Sequence, residues 1–225
     1  MKKAQVSASE IKCIIFDCDG VLVDSEALST EVLLEMSREC GFTVSPEEMS
    51  EQFLGVSLKT CLHFIESANS GRKLPEHFES EFRRRSFDIF RQRLKPVDGI
   101  KELLPKITKP FCVASSGPRD KIELNLAITG LSEFFNGNIY SSYDIGSWKP
   151  EPGIFLHAAE SMGFQPPDCL VIEDSHAGIE AATRGGFRVW HFAGACEKLP
   201  AIFDEVVASG SIISFKHMRE LENLI

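Results

Sequence analysis

The stretch "FDCDGVLVDSE", residues 16–26, directly follows the apolar run "IKCIIF", residues 11–16. It puts Asp17, Asp19 and Asp24 within eight positions. Because like charges repel, acids that collect at the end of a strand need a compensating charge. A functional interpretation of this stretch therefore requires a positively charged side chain or a bound cation close to Asp17 and Asp19.

Other short apolar runs recur along the chain at spacings that suit alternating strands and helices. They are "FCVAS" (111–115), "NIYSS" (138–142), "CLVIE" (169–173) and "RVWHF" (188–192). Nearly continuous hydrophobicity is typical of parallel strands that are buried on both faces. Helical spacing of apolar residues between the runs predicts helices over 121–128, 152–162 and 177–183. The sequence therefore predicts an α/β fold with a parallel sheet and right-handed crossovers.

Residues 25–96 show helical patterns and no convincing strand. A first helix is ended by Gly41, and Phe78, Phe82, Phe90 and Leu94 mark a long later helix. Residues 45–48 predict a capping box with Pro at the first helical position, and Ser57 is a further candidate cap. We therefore expect a helical cap domain over 25–96, inserted into a core domain formed by 1–24 and 97–225.

The long helix carries three consecutive basic residues, Arg83, Arg84 and Arg85. A run of charges on a helix usually forms a solvated face. Recognition of a phosphate group is the alternative interpretation. The sequence alone leaves both readings open.

The overall composition limits the classes of partner. The chain has 225 residues, of which 43% are hydrophobic, and a net charge of −9. This charge argues against nonspecific binding to nucleic acid or to anionic membranes. Seven cysteines without regular spacing favour reduced thiols and a cytoplasmic protein, and the N-terminal stretch has neither a signal-peptide nor a membrane-span pattern. We expect a monomer.

Polar side chains follow four of the predicted strands, where ligands bind in open α/β sheets. In chain order they are Asp17 and Asp19, Ser115 and Ser116, Lys149, and Glu173 and Asp174. Each has an ordinary alternative role: a turn-forming Asp, a helix-capping Ser, a solvated Lys. Their joint occurrence at successive strand ends favours convergence in one crevice.

The chemistry of these groups is complementary. Carboxylates can hold Mg²⁺, which prefers oxygen ligands. Lys149 adds a positive charge, and the Ser115–Ser116 segment precedes a helix whose free N–H groups can bind phosphate. Asp17 could then attack phosphorus as a nucleophile, and Asp19 could donate a proton to the leaving oxygen and later take one from water.

Four segments together resemble the haloacid dehalogenase superfamily. "DCDGVLVDSE" (17–26) resembles its first motif, "VASSGP" (113–118) its second, "WKPEPGIF" (148–155) its lysine motif and "VIEDSHAGIEAA" (171–182) its acidic motif. They occur in the family's order and span nearly the whole chain. The resemblance implies a Rossmann-like core with a helical cap.

The resemblance also implies roles for the candidate residues. Asp17 would form a phosphoaspartyl intermediate, and Mg²⁺ would be held by the Asp17 side chain, the Asp19 backbone carbonyl and Asp174. Glu173 would assist the metal directly or through water. The transferring phosphate would be bound by Ser115 and Lys149, beside Ser116.

Within the family, Asp19 favours phosphate chemistry, because halide release needs no proton donor. The chain resembles the β-phosphoglucomutase-like subgroup, and more narrowly bacterial phosphatases active on 6-phosphogluconate. Mutases of the subgroup carry a His and an Arg where this chain has Ser29 and Leu58. We therefore predict a Mg²⁺-dependent phosphatase that hydrolyses a small phosphate ester of a sugar or sugar acid. A phosphomutase is the alternative, and a catalytically silent binding protein is a third.

Overall fold

A computed structural model describes residues 11–45, 58–194 and 212–222. Within them, one parallel sheet has the strand order β3-β2-β1-β4-β5-β6. The strands are β1 (Cys13–Phe16), β2 (Phe111–Ser115), β3 (Ile139–Ser141), β4 (Cys169–Glu173), β5 (Arg188–Phe192) and β6 (Ile213–Phe215). The predicted α/β fold is confirmed, and β6 is a strand that the sequence analysis missed.

Helices connect the strands. They are α1 (Glu26–Glu39), α2 (Leu58–Ala68), α3 (Phe78–Arg93), α4 (Ile100–Leu103), α5 (Arg119–Thr129), α6 (Ser132–Phe135), α7 (Ser142–Ile145), α8 (Gly153–Met162), α9 (His176–Arg184) and α10 (Met218–Leu221), with 3₁₀ turns at Leu104–Lys106 and Pro166–Asp168. The predicted helices over 121–128, 152–162 and 177–183 correspond to α5, α8 and α9 within two residues at each end.

The sheet separates two apolar layers. In β1, Ile14 and Phe16 pack into one cluster of buried side chains, whereas Cys13 and Ile15 pack into the other. Successive side chains of a strand point to opposite faces, so a strand covered on both faces must be apolar at every position. This is the physical reason for the unbroken hydrophobic runs in the sequence.

The helices α1 to α3 lie between β1 and β2 in the chain and have a hydrophobic cluster of their own, which includes Leu33, Ile65 and Phe78. The two segments that lead into and out of this helical region run side by side. The backbone N–H of Asp24 donates to the carbonyl of Lys95 at 3.0 Å, and that of Val97 donates to Leu22 at 3.0 Å.

The exact domain boundaries, 24/25 and 96/97, stay a prediction. Most of the predicted capping box at 45–48, and the candidate cap at Ser57, lie outside the described residues.

The strand order places a crevice at the middle of the sheet. The chain continues from β1 to β2 on one side, and β4 lies on the other side of β1. Such a switch point opens a crevice at the carboxyl ends of the strands, where ligands bind in open α/β sheets. Asp17 comes directly after β1 and Asp174 directly after β4.

Two further observations concern the described part of the chain. Its cysteines are free thiols: Cys13, Cys18, Cys40, Cys61, Cys112 and Cys169. Among the helices that it contains, none is both long enough and apolar enough to cross a membrane.

Candidate active site

The carboxyl ends of β1 and β4 bring three of the predicted site residues into direct contact. The Nζ atom of Lys149 lies 2.5 Å from Oδ1 of Asp17 and 2.5 Å from Oε1 of Glu173. The Lys149 side chain is only 5% exposed. A lysine from the loop after β3 thus donates hydrogen bonds to carboxylates from two neighbouring strands.

The start of α9 fixes the Glu173 side chain. Its Oε2 atom accepts hydrogen bonds from the backbone N–H and the hydroxyl of Ser175, at 2.8 and 2.9 Å. Ser175 is the N-cap of α9, where its Oγ accepts from the N–H of Gly178 at 3.1 Å. A Cβ on Gly178 would lie 1.8 Å from Oε1 of Glu173, so this helix can approach the carboxylate only with glycine there.

Three buried carboxylates form a group that fits a metal ion. Asp17, Glu173 and Asp174 each offer an oxygen, and these atoms lie within 4.8 Å of one another. Lys149 contacts two of these three acids, so full ionisation leaves uncompensated negative charge in a buried place, which is unfavourable. An all-oxygen donor set with excess negative charge suits a hard divalent cation such as Mg²⁺.

The acidities of these groups reflect the crowding. Burial raises the pKa of Asp17 to about 7, against the attraction of Lys149 and with a further contribution from the charge of Glu173. Burial, followed by the negative charges of Glu26 and Glu173, raises the pKa of Asp174 well above its usual range. The pKa of Lys149 is raised because Asp17 and Glu173 outweigh the opposing effect of burial.

Asp19 belongs to a separate set of contacts on the side of α5. Lys121 Nζ lies 2.9 Å from both of its carboxylate oxygens, and the Ser25 hydroxyl donates a short hydrogen bond to Oδ1. The amide of Asn125 is 3.4 Å from Oδ1. Burial acts to raise the pKa of Asp19, but the charge of Lys121 and the hydrogen bonds from Ser25 and Lys121 hold that pKa below its usual range.

The loop between β2 and α5 carries the two predicted serines. Ser115 is buried, and its Oγ accepts from the N–H of Gly117 at 3.0 Å. Ser116 lines the cleft described below. A Cβ on Gly117 would lie 3.8 Å from Oδ2 of Asp19, which places this loop beside that carboxylate.

An open cleft lies between the helical region and the carboxyl edge of the sheet. The helical side contributes Ser29, Leu58, Phe82, Arg83, Ser86 and Phe87. From the sheet side, the described lining includes Asp19, Ser116, Lys121, Tyr143, Trp148 and Lys149. The cleft thus combines lysines with aromatic rings, which suits a small anionic ligand that has an apolar part.

Sequence reasoning missed Lys121 and the two close-contact glycines. Lys121 lies three residues after Pro118, in the first turn of the helix that follows the Ser115 loop. This position beside a candidate phosphate-binding loop is the feature of the sequence that could have identified it. Gly20 lies within the opening motif, and a Cβ there would be 1.9 Å from Oδ2 of Asp174. Asp24, in contrast, is exposed, and it contributes its backbone N–H to the pairing with Lys95.

Comparisons with known proteins agree with this geometry. The model of the haloacid dehalogenase-like hydrolases matches residues 11–186. The 6-phosphogluconate phosphatase of Escherichia coli K12 is 31% identical over 216 residues, which are 96% of this chain and 95% of that protein. A phosphorylated carbohydrates phosphatase of Thermotoga maritima is 26% identical over 179 residues, covering 78% of this chain and 82% of the relative.

A solved structure is similar over nearly the whole fold. It is a haloacid dehalogenase-like protein of unknown function from Agrobacterium tumefaciens C58, with 35% identity and a TM-score of 0.81, covering 95% of this chain and 97% of the other. The family match spans β1 to α9 and includes every candidate site residue from Asp17 to Asp174. The chain therefore belongs to the haloacid dehalogenase-like hydrolases and is a phosphatase.

Proposed function

We propose that this phosphatase hydrolyses the phosphate monoester of a small sugar or sugar acid, with Asp17 as nucleophile and Mg²⁺ as cofactor. The observation that carries the proposal is the position of Asp17. Its carboxylate lies at the end of the central strand β1, in hydrogen-bond contact with Lys149, and Asp19 and Lys149 line the cleft beside it.

The reaction divides into two transfers of the phosphoryl group. In the first, a carboxylate oxygen of Asp17 attacks phosphorus, the bond to the sugar oxygen breaks, and that oxygen takes a proton from Asp19. In the second, a water molecule attacks the phosphorus of the aspartyl-phosphate and gives its proton to Asp19. The bond to Asp17 breaks, inorganic phosphate leaves, and Asp19 is protonated for the next cycle.

The surroundings of Asp19 suit one half of this cycle directly. Lys121 and Ser25 hold Asp19 as a carboxylate, the form that accepts a proton from water. For the donating half, Asp19 must hold a proton when substrate arrives. A substrate phosphate that draws Lys121 toward itself would weaken this contact and allow the pKa of Asp19 to rise.

The buried acids give the cofactor a place. Mg²⁺ would be held by the side chains of Asp17 and Asp174 and by the backbone carbonyl of Asp19, with Glu173 as a direct or water-mediated partner. When bound, the ion supplies positive charge that stabilises the phosphoryl group during transfer. Glu173 is already oriented by Ser175, so it would also keep Lys149 in position.

Positive charge and N–H groups would bind the transferring phosphate. Lys149 is the buried cation closest to the nucleophile. The loop of Ser115 and Ser116 would add a hydroxyl and backbone N–H groups on the other side of Asp19. The resemblance to the two phosphatases reported above supports a sugar-type substrate, and 6-phosphogluconate is the first candidate.

At the two positions that distinguish mutases of the subgroup, this chain offers no cation to a second phosphate. Ser29 and Leu58 line the cleft at the positions where mutases of the subgroup carry His and Arg. Neither side chain can bind a second phosphate by charge. Hydrolysis is therefore the better-supported outcome.

Phosphate release from a panel of sugar and sugar-acid phosphates, with and without Mg²⁺, tests the proposal. We expect Mg²⁺-dependent release that Asp17→Asn abolishes while its circular dichroism stays unchanged. Retained activity in Asp17→Asn would overturn the nucleophile assignment. Conversion of β-glucose 1-phosphate to an isomer faster than its hydrolysis, followed by NMR, would favour the mutase.

A further inference from the structure

Arg83 is the residue of the three-arginine run that faces the candidate active site. It lines the cleft from α3, opposite Tyr143 and Trp148. Arg84 pairs instead with Glu81 and Asp88 on α3 itself. Successive residues of a helix are rotated by about 100°, which is why one of the three can face the cleft while its neighbour faces away.

Arg85 also lies outside the cleft, in ion pairs with Glu81 and Glu39. The two interpretations of the basic run thus apply to different residues. Arg84 and Arg85 belong to a surface network of ion pairs, whereas Arg83 is available to a ligand.

The cleft contains two other described cations, and both are committed to acids of the reaction site. Lys149 contacts Asp17 and Glu173, and Lys121 contacts both oxygens of Asp19. Arg83 differs in its partners. Its guanidinium donates to the phenol oxygen of Tyr143 at 2.8 Å and to Oε1 of Glu79 at 2.7 Å.

These two partners are ones that a ligand can replace. The Glu79 side chain is 49% exposed, and exposed ion pairs contribute little net stability. Tyr143 is a neutral acceptor, so an anionic oxygen makes a stronger hydrogen bond to the same guanidinium. Arg83 is itself 30% exposed, and it therefore reaches solvent in the cleft as well as the protein.

The aromatic side chains near Arg83 form a surface on which a sugar chain can pack. Tyr143 and Trp148 are 48% and 39% exposed, and their rings meet edge to face with centroids 5.3 Å apart. The guanidinium carbon of Arg83 is 5.5 Å from the centroid of the Tyr143 ring. Trp148 directly precedes Lys149, so these rings lead from Arg83 to the lysine that contacts the nucleophile.

We propose that Arg83 recognises a carboxylate at the end of the substrate opposite the transferring phosphate, and so makes the enzyme selective for phosphorylated sugar acids over neutral sugar phosphates. This inference rests on the proposed function. A planar guanidinium matches a carboxylate with two parallel hydrogen bonds. The Tyr143 hydroxyl, released from Arg83, can donate to the same anion.

The test compares two open-chain substrates that differ at one carbon. 6-Phosphogluconate has a carboxylate at C1, and sorbitol 6-phosphate has a hydroxymethyl group there. We expect Arg83→Gln to lower kcat/KM for 6-phosphogluconate by about 10- to 100-fold, mainly through KM, and to change that for sorbitol 6-phosphate by less than about 3-fold. Arg83→Lys keeps the positive charge but cannot make two parallel hydrogen bonds to a carboxylate. Its kcat/KM for 6-phosphogluconate should lie between those of the wild type and Arg83→Gln.

Arg84→Gln is the matched control, since it removes a neighbouring arginine from the same helix without touching the cleft. Arg84→Gln should leave kcat/KM unchanged for both substrates. Equal losses for both substrates in Arg83→Gln, or a wild-type enzyme that does not favour 6-phosphogluconate, would overturn the role of Arg83 while leaving hydrolysis intact. A wild-type enzyme that releases phosphate from no ester would instead overturn the proposed function.

Discussion

Gly20 and Asp174 lie so close that position 20 has no room for a side chain. A Cβ on Gly20 would be 1.9 Å from Oδ2 and 2.7 Å from Cγ of Asp174, and Gly20 has a φ of +78°. Glycine is required here both by backbone conformation and by contact. The loop after β1 can therefore approach the acid that follows β4 closely.

This relationship predicts a specific defect for Gly20→Ala. The new methyl group must displace Asp174, so we expect weaker Mg²⁺ binding. Activity should fall by at least about 10-fold, the size of loss expected when one metal ligand is misplaced. Calorimetric titration with Mg²⁺ and phosphate-release assays measure the two effects.

Gly163→Ala is the control for the backbone contribution. Gly163 has a φ of +82° with nothing within 4 Å of a built Cβ. Both variants should lose about 1–2 kcal/mol of unfolding free energy from the left-handed conformation. If Gly163→Ala impaired Mg²⁺ binding as much as Gly20→Ala, the contact with Asp174 would not be the cause.

Lys149 should matter for stability as well as for activity. Replacing it with Met leaves Asp17 and Glu173 without their shared cation, and breaking a buried ion pair costs about 3–5 kcal/mol. In EDTA at pH 8 we expect a loss of that size by urea unfolding, part of which Mg²⁺ restores. Loss of a hydrogen-bond donor to the reacting group should lower kcat by about 100-fold or more.

An exposed lysine provides the comparison. Lys106 pairs with Glu222, and both side chains are about half exposed (52% and 43%). Exposed pairs contribute about 0–1 kcal/mol, so Lys106→Met should be nearly neutral. Comparable destabilisation by the two substitutions would refute the claim that burial gives Lys149 its importance.

The parts of the fold that could be predicted from sequence are those fixed by local pattern. The strands β2, β4 and β5 match the predicted runs residue for residue, because burial on both faces favours the nearly continuous apolar runs that marked them in the sequence. The strand β6, Ile213–Phe215, was missed because its middle residue, Ser214, is polar and exposed and interrupts the apolar pattern. Such an interrupted segment carries no pattern that separates it from a loop.

Site residues that lie directly at the end of a strand could be predicted from the sequence. Contacts that depend on how helices pack against the sheet could not. Asp17 and Glu173 adjoin the ends of neighbouring parallel strands, so their proximity follows from topology. The contact between Lys121 and Asp19 depends on the rotation of α5 and on a long flexible side chain. Likewise, the sequence could not show which of three consecutive arginines faces the cleft, because α3 is charged on several sides.

Asp19→Asn should separate the two halves of the proposed reaction. With 4-nitrophenyl phosphate, the leaving group departs without needing a proton, so attack by Asp17 should continue. Hydrolysis of the aspartyl-phosphate still needs a base and should slow by about 100-fold or more. Rapid-quench assays should then detect a burst of nitrophenol close to one equivalent per enzyme, followed by a slow phase.

The matching control is Asp17→Asn, which has no nucleophile and should give no burst. Mass spectrometry of the quenched Asp19→Asn protein should find phosphate on Asp17. Steady-state turnover at the wild-type rate, without a burst, would exclude Asp19 from the second step.

Mg²⁺ affinity should rise with pH across neutrality. The acids that would hold Mg²⁺ bind protons more readily than usual in the metal-free protein, because burial raises the pKa of Asp17 to about 7 and that of Asp174 well above its ordinary range. The sign follows from competition: below the raised pKa, each Mg²⁺ must displace a proton, and well above it the carboxylate is already ionised. We expect Kd to fall by up to about tenfold per pH unit for each proton displaced between pH 6 and 7.

Stability should show the same linkage. A carboxyl whose pKa is raised on folding binds protons more tightly in the folded state, so its contribution weakens as pH rises from the unfolded value through about 7. The increase in Tm on adding Mg²⁺ should therefore be larger at pH 8 than at pH 6. Asp17→Asn removes one titrating carboxylate and should flatten this pH dependence.

Proton release on Mg²⁺ binding can be measured directly by calorimetry in buffers of different ionisation heat. We expect release at pH 6.5. A Kd that is constant from pH 6 to 8 would contradict the assignment of these acids as the metal site.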